Sequence, residues 1–171
     1  MMRFLRFVAG LKFIPEARRL ELYPPFRAMR IQVLEIGPGW RSVRIKLPLD
    51  WRSKNPGGVM FGGWQAALAD PIAALACARN FPGFSVWTRA MTIEFERGGS
   101  TDLELRFAMQ DAQVEAIRAE LATHGRATPK FEYGYHLSDG TRCTKVVNTV
   151  AIRPKGYQKA TSPGAELDEL A

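Results

Sequence analysis

Cysteine and histidine are scarce in this chain, with two of each in 171 residues. Cys77 and Cys143 form no C-x-x-C pair, and His124 and His136 are not spaced as metal ligands. A zinc or iron–sulfur site therefore has no ligand framework, and no metal is expected. The thiols read as packed and reduced, which suits a cytoplasmic location. Gly-x-Ser-x-Gly, a Walker-type loop and His-Glu-x-x-His are all absent. That removes the usual serine, phosphate-loop and zinc routes to catalysis. A long apolar run is missing too. The N-terminal "MMRFLRFVAGLKFIP" is basic and apolar, but its longest uncharged stretch, Phe7 to Leu11, is too short for a membrane span or a signal-peptide core. It is expected to be an amphipathic helix docked on the domain, with a membrane-surface anchor as the alternative. The formal net charge is +7, yet the positive residues are scattered without a block. No nucleic-acid arm is indicated.

What the chain does have is enough apolar content, 46%, to build one core. The expected division is an N-terminal helical segment over 1–28, one domain over 29–153 and a flexible tail over 154–171. "PEARRLELYPP" reads as a short helix between proline stops at Pro15 and Pro24-Pro25. "IQVLEI" and "VRIKL" alternate around a "GPG" turn and read as a hairpin. A polar loop over 50–58 leads into a helix from about Phe61 to Arg79, apolar on nearly every side. "MTIEF", "LELRF" and "FEYGYHL" alternate as strands, and "TKVVNTVAI", apolar on both faces, reads as a central strand. Between them "DAQVEAIRAELATHG" is a second helix, N-capped by Asp111, striped by Val114, Ile117 and Leu121, and ended by Gly125. The expected class is α+β, an antiparallel sheet wrapped around the long helix, which is too apolar to lie on a surface.

The chemistry concentrates in "NPGGVMFGGWQAALADPIAALACA", from Asn55. Asp70 has no lysine or arginine close by in its helix. Buried there, it would cost several kcal/mol or stay protonated, so it is a candidate functional acid. The alternative is a helix that leaves one narrow edge open to solvent or to a partner. Gly62 and Gly63 begin the helix, where unpaired N–H groups and the positive dipole end can hold an oxyanion. Tight packing against a strand would explain them as well. Pro71 removes an N–H from the helix interior, so a kink is expected, with the Ala67 carbonyl left without its usual partner.

The order Asn55, Gly58, Gly62-Gly63, Leu68, Asp70 resembles the signature of hotdog-fold acyl-CoA thioesterases of the phenylacetic-acid-degradation type. The likeness runs from about Arg30 to Arg153. The "ADP" at Asp70-Pro71 and the inserted helix from Asp111 resemble an uncharacterised thioesterase-like branch of that superfamily. The resemblance implies a hotdog fold, with the extra inserted helix and the N-terminal helices added. It implies a homodimer, with tetramers left open, and no cofactor beyond the CoA thioester substrate. Asp70 would be nucleophile or general base, the Gly62 N–H would polarise the carbonyl, and Asn55 would position substrate or water from the other subunit. Thr88 would orient the attacking water. By parity with Met91, Ile93 and Phe95, though, Thr88 points off the core face unless a bulge intervenes. Phe61 stands where the family has histidine, and a phenyl ring donates no hydrogen bond. A slower enzyme, a different substrate, or a hotdog module that binds an acyl thioester without cleaving it all fit. In the last case Phe61, Gly63 and Trp64 wall the pocket. Arg79, Arg97, Arg153 and Lys155 are candidate contacts to the CoA phosphates. Lyase or isomerase chemistry is a weaker third reading, because neither histidine lies near the motif.

Overall fold

The structure is a computed structural model that describes residues 14–157. The expected amphipathic helix before residue 14 and the tail beyond residue 157 lie outside the described residues. Two short helices, α1 (Glu16–Leu22) and α2 (Pro24–Met29), lead into β1 (Gln32–Ile36) and β2 (Ser42–Leu47). The long helix α3 (Gly62–Asn80) follows, then β3 (Phe84–Phe95), β4 (Leu103–Ala108), α4 (Asp111–His124), β5 (Lys130–His136) and β6 (Arg142–Pro154). Pro24-Pro25 starts a helix as well as ending one. Proline at the first helical positions loses no hydrogen bond there, and its fixed φ suits the helix.

The six strands form one antiparallel sheet in the order β1-β2-β4-β5-β6-β3. β6 is internal, as its two-sided apolar pattern implies. Because β2 and β3 lie toward opposite edges, α3 between them has to cross one whole face of the sheet. It lays Leu68, Ala69, Ile72, Ala73, Ala76 and Cys77 on that face, against Val43, Ile45, Leu105, Tyr135, Val146 and Val150. This is the hotdog architecture, an α+β sheet around a central helix. α3 runs through Pro71 as one helical element. α4 begins one residue earlier than the capping argument gives. Gln110 is its N-cap and Asp111 its first helical residue, with the Gln110 N–H donating to the Gln113 side chain at 3.0 Å. Gly125 ends α4 at φ 65, a left-handed geometry that favours glycine.

Polar pairs cross the outer face of the sheet. Glu104 accepts from Arg44 at 2.6 Å and from Arg106 at 2.9 Å, and these bonds hold its carboxyl down at about 2. Lys46 pairs with Asp102 at 2.7 Å.

Candidate active site at the start of the central helix

Phe61 caps α3 with extended backbone, and its N–H donates to the Ser53 carbonyl at 2.7 Å. The loop before it is fixed by its own polar groups. Asn55 N–H donates to the Val59 carbonyl at 2.8 Å, and its side-chain oxygen accepts the Val59 N–H at 3.3 Å. Gly62 and Gly63 then present N–H groups that donate to nothing among the described residues, as expected of a first helical turn.

Both glycines lie beneath aromatic rings. A Cβ on Gly62 would come within 2.7 Å of the Phe95 ring, and one on Gly63 would lie closer still to the Phe61 ring. Phe61 is 50% exposed and Phe95 56% exposed, so both rings stand at the surface while covering the helix start. Phe95, which reads as a core residue in "MTIEF", is on the helix side of β3 but at the open rim. Trp64 is half-buried against the core.

Asp70 is exposed, which corrects the expectation of a buried acid. A single sheet covers only one side of α3. Gly63, Ala67, Asp70 and Ala78, spaced four, three and eight residues apart, form the uncovered stripe on the other side. The backbone at Asp70 is held firmly from the sheet side. The Thr88 hydroxyl donates to the Asp70 carbonyl at 2.6 Å, and Asn148 Nδ2 donates to the same oxygen at 3.0 Å. Asn148 Nδ2 also donates to the Tyr133 hydroxyl at 3.2 Å, which donates to the Ala69 carbonyl at 2.7 Å. Burial raises the Tyr133 hydroxyl far above the usual tyrosine range; the Asn148 bond opposes this and the Asp70 charge adds to it. One turn earlier, the Tyr135 hydroxyl bonds the Gln65 carbonyl and the Thr144 hydroxyl bonds the Gln65 side chain, both at 2.6 Å.

Thr88 reaches the helix because of a β-bulge. The β3–β6 register shifts between Thr88 and Ala90, so Thr88 pairs with Val150 while Met91 pairs with Asn148. The extra residue, Arg89, reverses the parity, and Thr88 joins Met91, Ile93 and Phe95 on the inner face.

The structure thus brings Thr88 onto Asp70, and Phe61 onto Gly63. Asn55 bonds its own loop. Asn148, Tyr133 and Phe95 were not singled out by the sequence. For Asn148 a signal existed: in β6 it shares an inward face with Val146, Val150 and Ile152, where a polar residue needs a reason. Two of the four proposed phosphate contacts are engaged elsewhere. Arg79 pairs with Glu16 and lies 5.4 Å from the Trp40 ring centroid. Arg153 is buried, bonding the Ala127 and Ile152 carbonyls and the Thr128 hydroxyl. Among the described residues no group of three or more His, Cys, Asp or Glu is placed to hold a metal. No described helix is long and apolar enough to cross a membrane.

Solved structures share this fold. A Pseudomonas aeruginosa protein of unknown function, described as a probable thioesterase, is 17% identical with a TM-score of 0.69, over 90% of this chain and 95% of its own. A Haemophilus influenzae thioesterase is 18% identical with a TM-score of 0.64, over 82% of this chain and 90% of its own. A mutant of a Staphylococcus aureus thioesterase is 18% identical with a TM-score of 0.58, over 75% of this chain and 97% of its own. At these identities the likeness is one of fold. No curated protein matches the chain in sequence. The family model for a domain of unknown function, DUF4442, matches residues 17–150, so α1 through most of β6 falls within it, and the chain belongs to that family.

Proposed function

We propose that the protein hydrolyses an acyl-CoA or related pantetheine thioester at a site shared by two copies of the chain. The observation that carries the reading is the start and open stripe of α3, which offer unpaired N–H groups at Gly62 and Gly63 and a carboxylate at Asp70. Eight residues separate Gly62 from Asp70, so at 1.5 Å per residue they stand about 12 Å apart along the helix. Reacting atoms must approach to about 3–3.5 Å. One chain therefore cannot place its own Asp70 on a carbonyl held by its own Gly62. Two antiparallel copies of α3, packed stripe to stripe, can place Gly62 of one beside Asp70 of the other. β3 supports such pairing, being an edge strand of 12 residues.

In this site the thioester oxygen accepts from the Gly62 N–H, aided by the helix dipole. Asp70 takes a proton from water as the water oxygen attacks the carbonyl carbon. The tetrahedral oxyanion collapses, the C–S bond breaks, and the thiolate leaves and is protonated, giving a carboxylic acid and a thiol. Direct attack by the Asp70 carboxylate, followed by hydrolysis of the anhydride, reaches the same products. The bonds from Thr88 and Asn148 to the Asp70 carbonyl fix where that residue's Cα lies. Asn55 of the second copy lines the substrate path. No cofactor enters these steps.

The rings of Phe61 and Phe95 over the glycines favour a second reading, in which the dimer holds an acyl thioester without cleaving it. A panel of acyl-CoAs assayed for free thiol separates the two. Turnover that collapses in Asp70→Asn supports hydrolysis. Binding without turnover supports the second reading, and turnover untouched by Asp70→Asn refutes the role of Asp70.

A further inference from the structure

Trp51 is 79% exposed, far more than any other large apolar side chain among the described residues. It is not on a slack loop. The buried Ser53 hydroxyl donates to the Pro48 carbonyl at 2.7 Å and accepts the Asp50 N–H at 2.8 Å. The Asp50 carboxylate accepts the Arg52 N–H and the Arg30 guanidinium, each at 2.8 Å. A turn braced at both ends therefore holds the indole out in water, where its apolar area gains nothing. The Arg52 guanidinium carbon lies 4.8 Å from the Trp51 ring centroid, covering one face and leaving the other free. Among the described residues neither Arg52 nor Lys54 forms an ion pair.

This turn is bonded directly to the start of α3. The Ser53 carbonyl accepts the Phe61 N–H at 2.7 Å, and Lys54 bridges Met60. A flat aromatic face and two uncompensated cations thus sit at the rim of the candidate site, on the outside. A ligand that suits them carries a flat heteroaromatic ring, several negative charges, and an arm long enough to enter the site. We propose that the Trp51–Lys54 turn docks the nucleotide end of the CoA substrate. The adenine stacks on the free face of Trp51, and the phosphates lie against Arg52 and Lys54. The inference rests on the thioesterase reading and adds the part of the substrate that the protein recognises outside the reacting centre. Stacking of a base on an aromatic side chain tolerates any acyl group, so this contact contributes to affinity without selecting the acyl chain.

Two measurements on the full chain test it. The first titrates adenosine 3′,5′-bisphosphate, the nucleotide fragment of CoA, by calorimetry. Wild-type protein is expected to bind it, with affinity falling about tenfold or more in Trp51→Ala and in Arg52→Ala, and retained in Trp51→Tyr. ADP, which shares the base but not the 3′-phosphate, serves as the competing source of the same chemistry; equal binding of ADP would refute CoA as the occupant. The second compares KM for an acyl-CoA with KM for the same acyl group on pantetheine. Trp51→Ala is expected to shift that ratio about tenfold toward the pantetheine thioester. No binding by wild-type protein, equal binding by Trp51→Ala, or an unmoved KM ratio overturns the proposal. The two readings fail separately. Bisphosphate binding through Trp51 without hydrolysis of any thioester removes the enzyme and keeps the nucleotide site. Hydrolysis of both substrates without bisphosphate binding does the reverse.

Discussion

Replacing Thr88 by valine separates two roles for its hydroxyl. Valine keeps the shape and the inward position on β3, and removes one donor from the Asp70 carbonyl. That oxygen still accepts from Asn148 Nδ2 at 3.0 Å, so no buried acceptor is left bare. The cost is that of one ordinary hydrogen bond, about 1 kcal/mol. For a chain of this length that lowers Tm by about 2–4 °C at fixed protein concentration. Turnover should fall less than tenfold, because Asn148 continues to hold the Asp70 backbone. If instead the hydroxyl binds the attacking water, its loss costs about 10²–10³ in kcat. Stability would then stay unchanged. Urea unfolding and thiol release, measured on Thr88→Val and Thr88→Ser together, decide between these outcomes. Serine should restore stability and turnover alike. A hundredfold fall in kcat with an unchanged unfolding midpoint would refute the backbone-holding role.

Other consequences follow from single contacts. Tyr135 is fully buried and its hydroxyl bonds the Gln65 carbonyl, so Tyr135→Phe should cost about 1 kcal/mol in urea unfolding and leave the fold intact. Glu104 has its pKa lowered from 4.5 to about 2, first by Arg44 and then by Arg106. A lowered acid pKa stabilises the fold above about pH 4.5 and loses that contribution as the pH falls toward 2. Glu104→Gln should therefore be less stable than wild type by about 1 kcal/mol at pH 7, with the gap closing toward pH 2 in thermal melts. Phe61→His should raise kcat if the phenyl ring limits hydrolysis. A lower rate would show that the site is built around the ring.

β6 stood out because it is apolar on both faces, and the alternation of apolar and polar residues made β1, β2, β4 and β5 legible. Only the last five residues of β3 were visible in that way. The bulge at Arg89 breaks the period of two, so "FSVWTRA" reads on neither face. Helix α3 was located within a residue at each end, yet its exposure was misread. Alanine and glycine on its open stripe are apolar enough to suggest burial, and small enough to lie at a surface awaiting another helix. The glycines and Asp70 stood out through a spacing along the chain. The donors from Thr88, Asn148 and Tyr133 did not, because strand pairing and a bulge bring them to the helix from 18, 78 and 64 residues away. The rim position of Phe95 was equally invisible, since it follows from where the sheet ends.

The central claim is that each site takes Gly62 from one copy and Asp70 from the other, and complementation tests it directly. Gly62→Pro removes the N–H while keeping a residue suited to the first helical position, the exposed Phe95 ring swinging aside. Asp70→Asn removes the base. Each variant alone should be inactive. When the two are unfolded together and refolded, half of the dimers are mixed, and each mixed dimer carries one intact site. The account predicts recovery to about a quarter of wild-type thioesterase activity. Mixed dimers that form and remain inactive would contradict it.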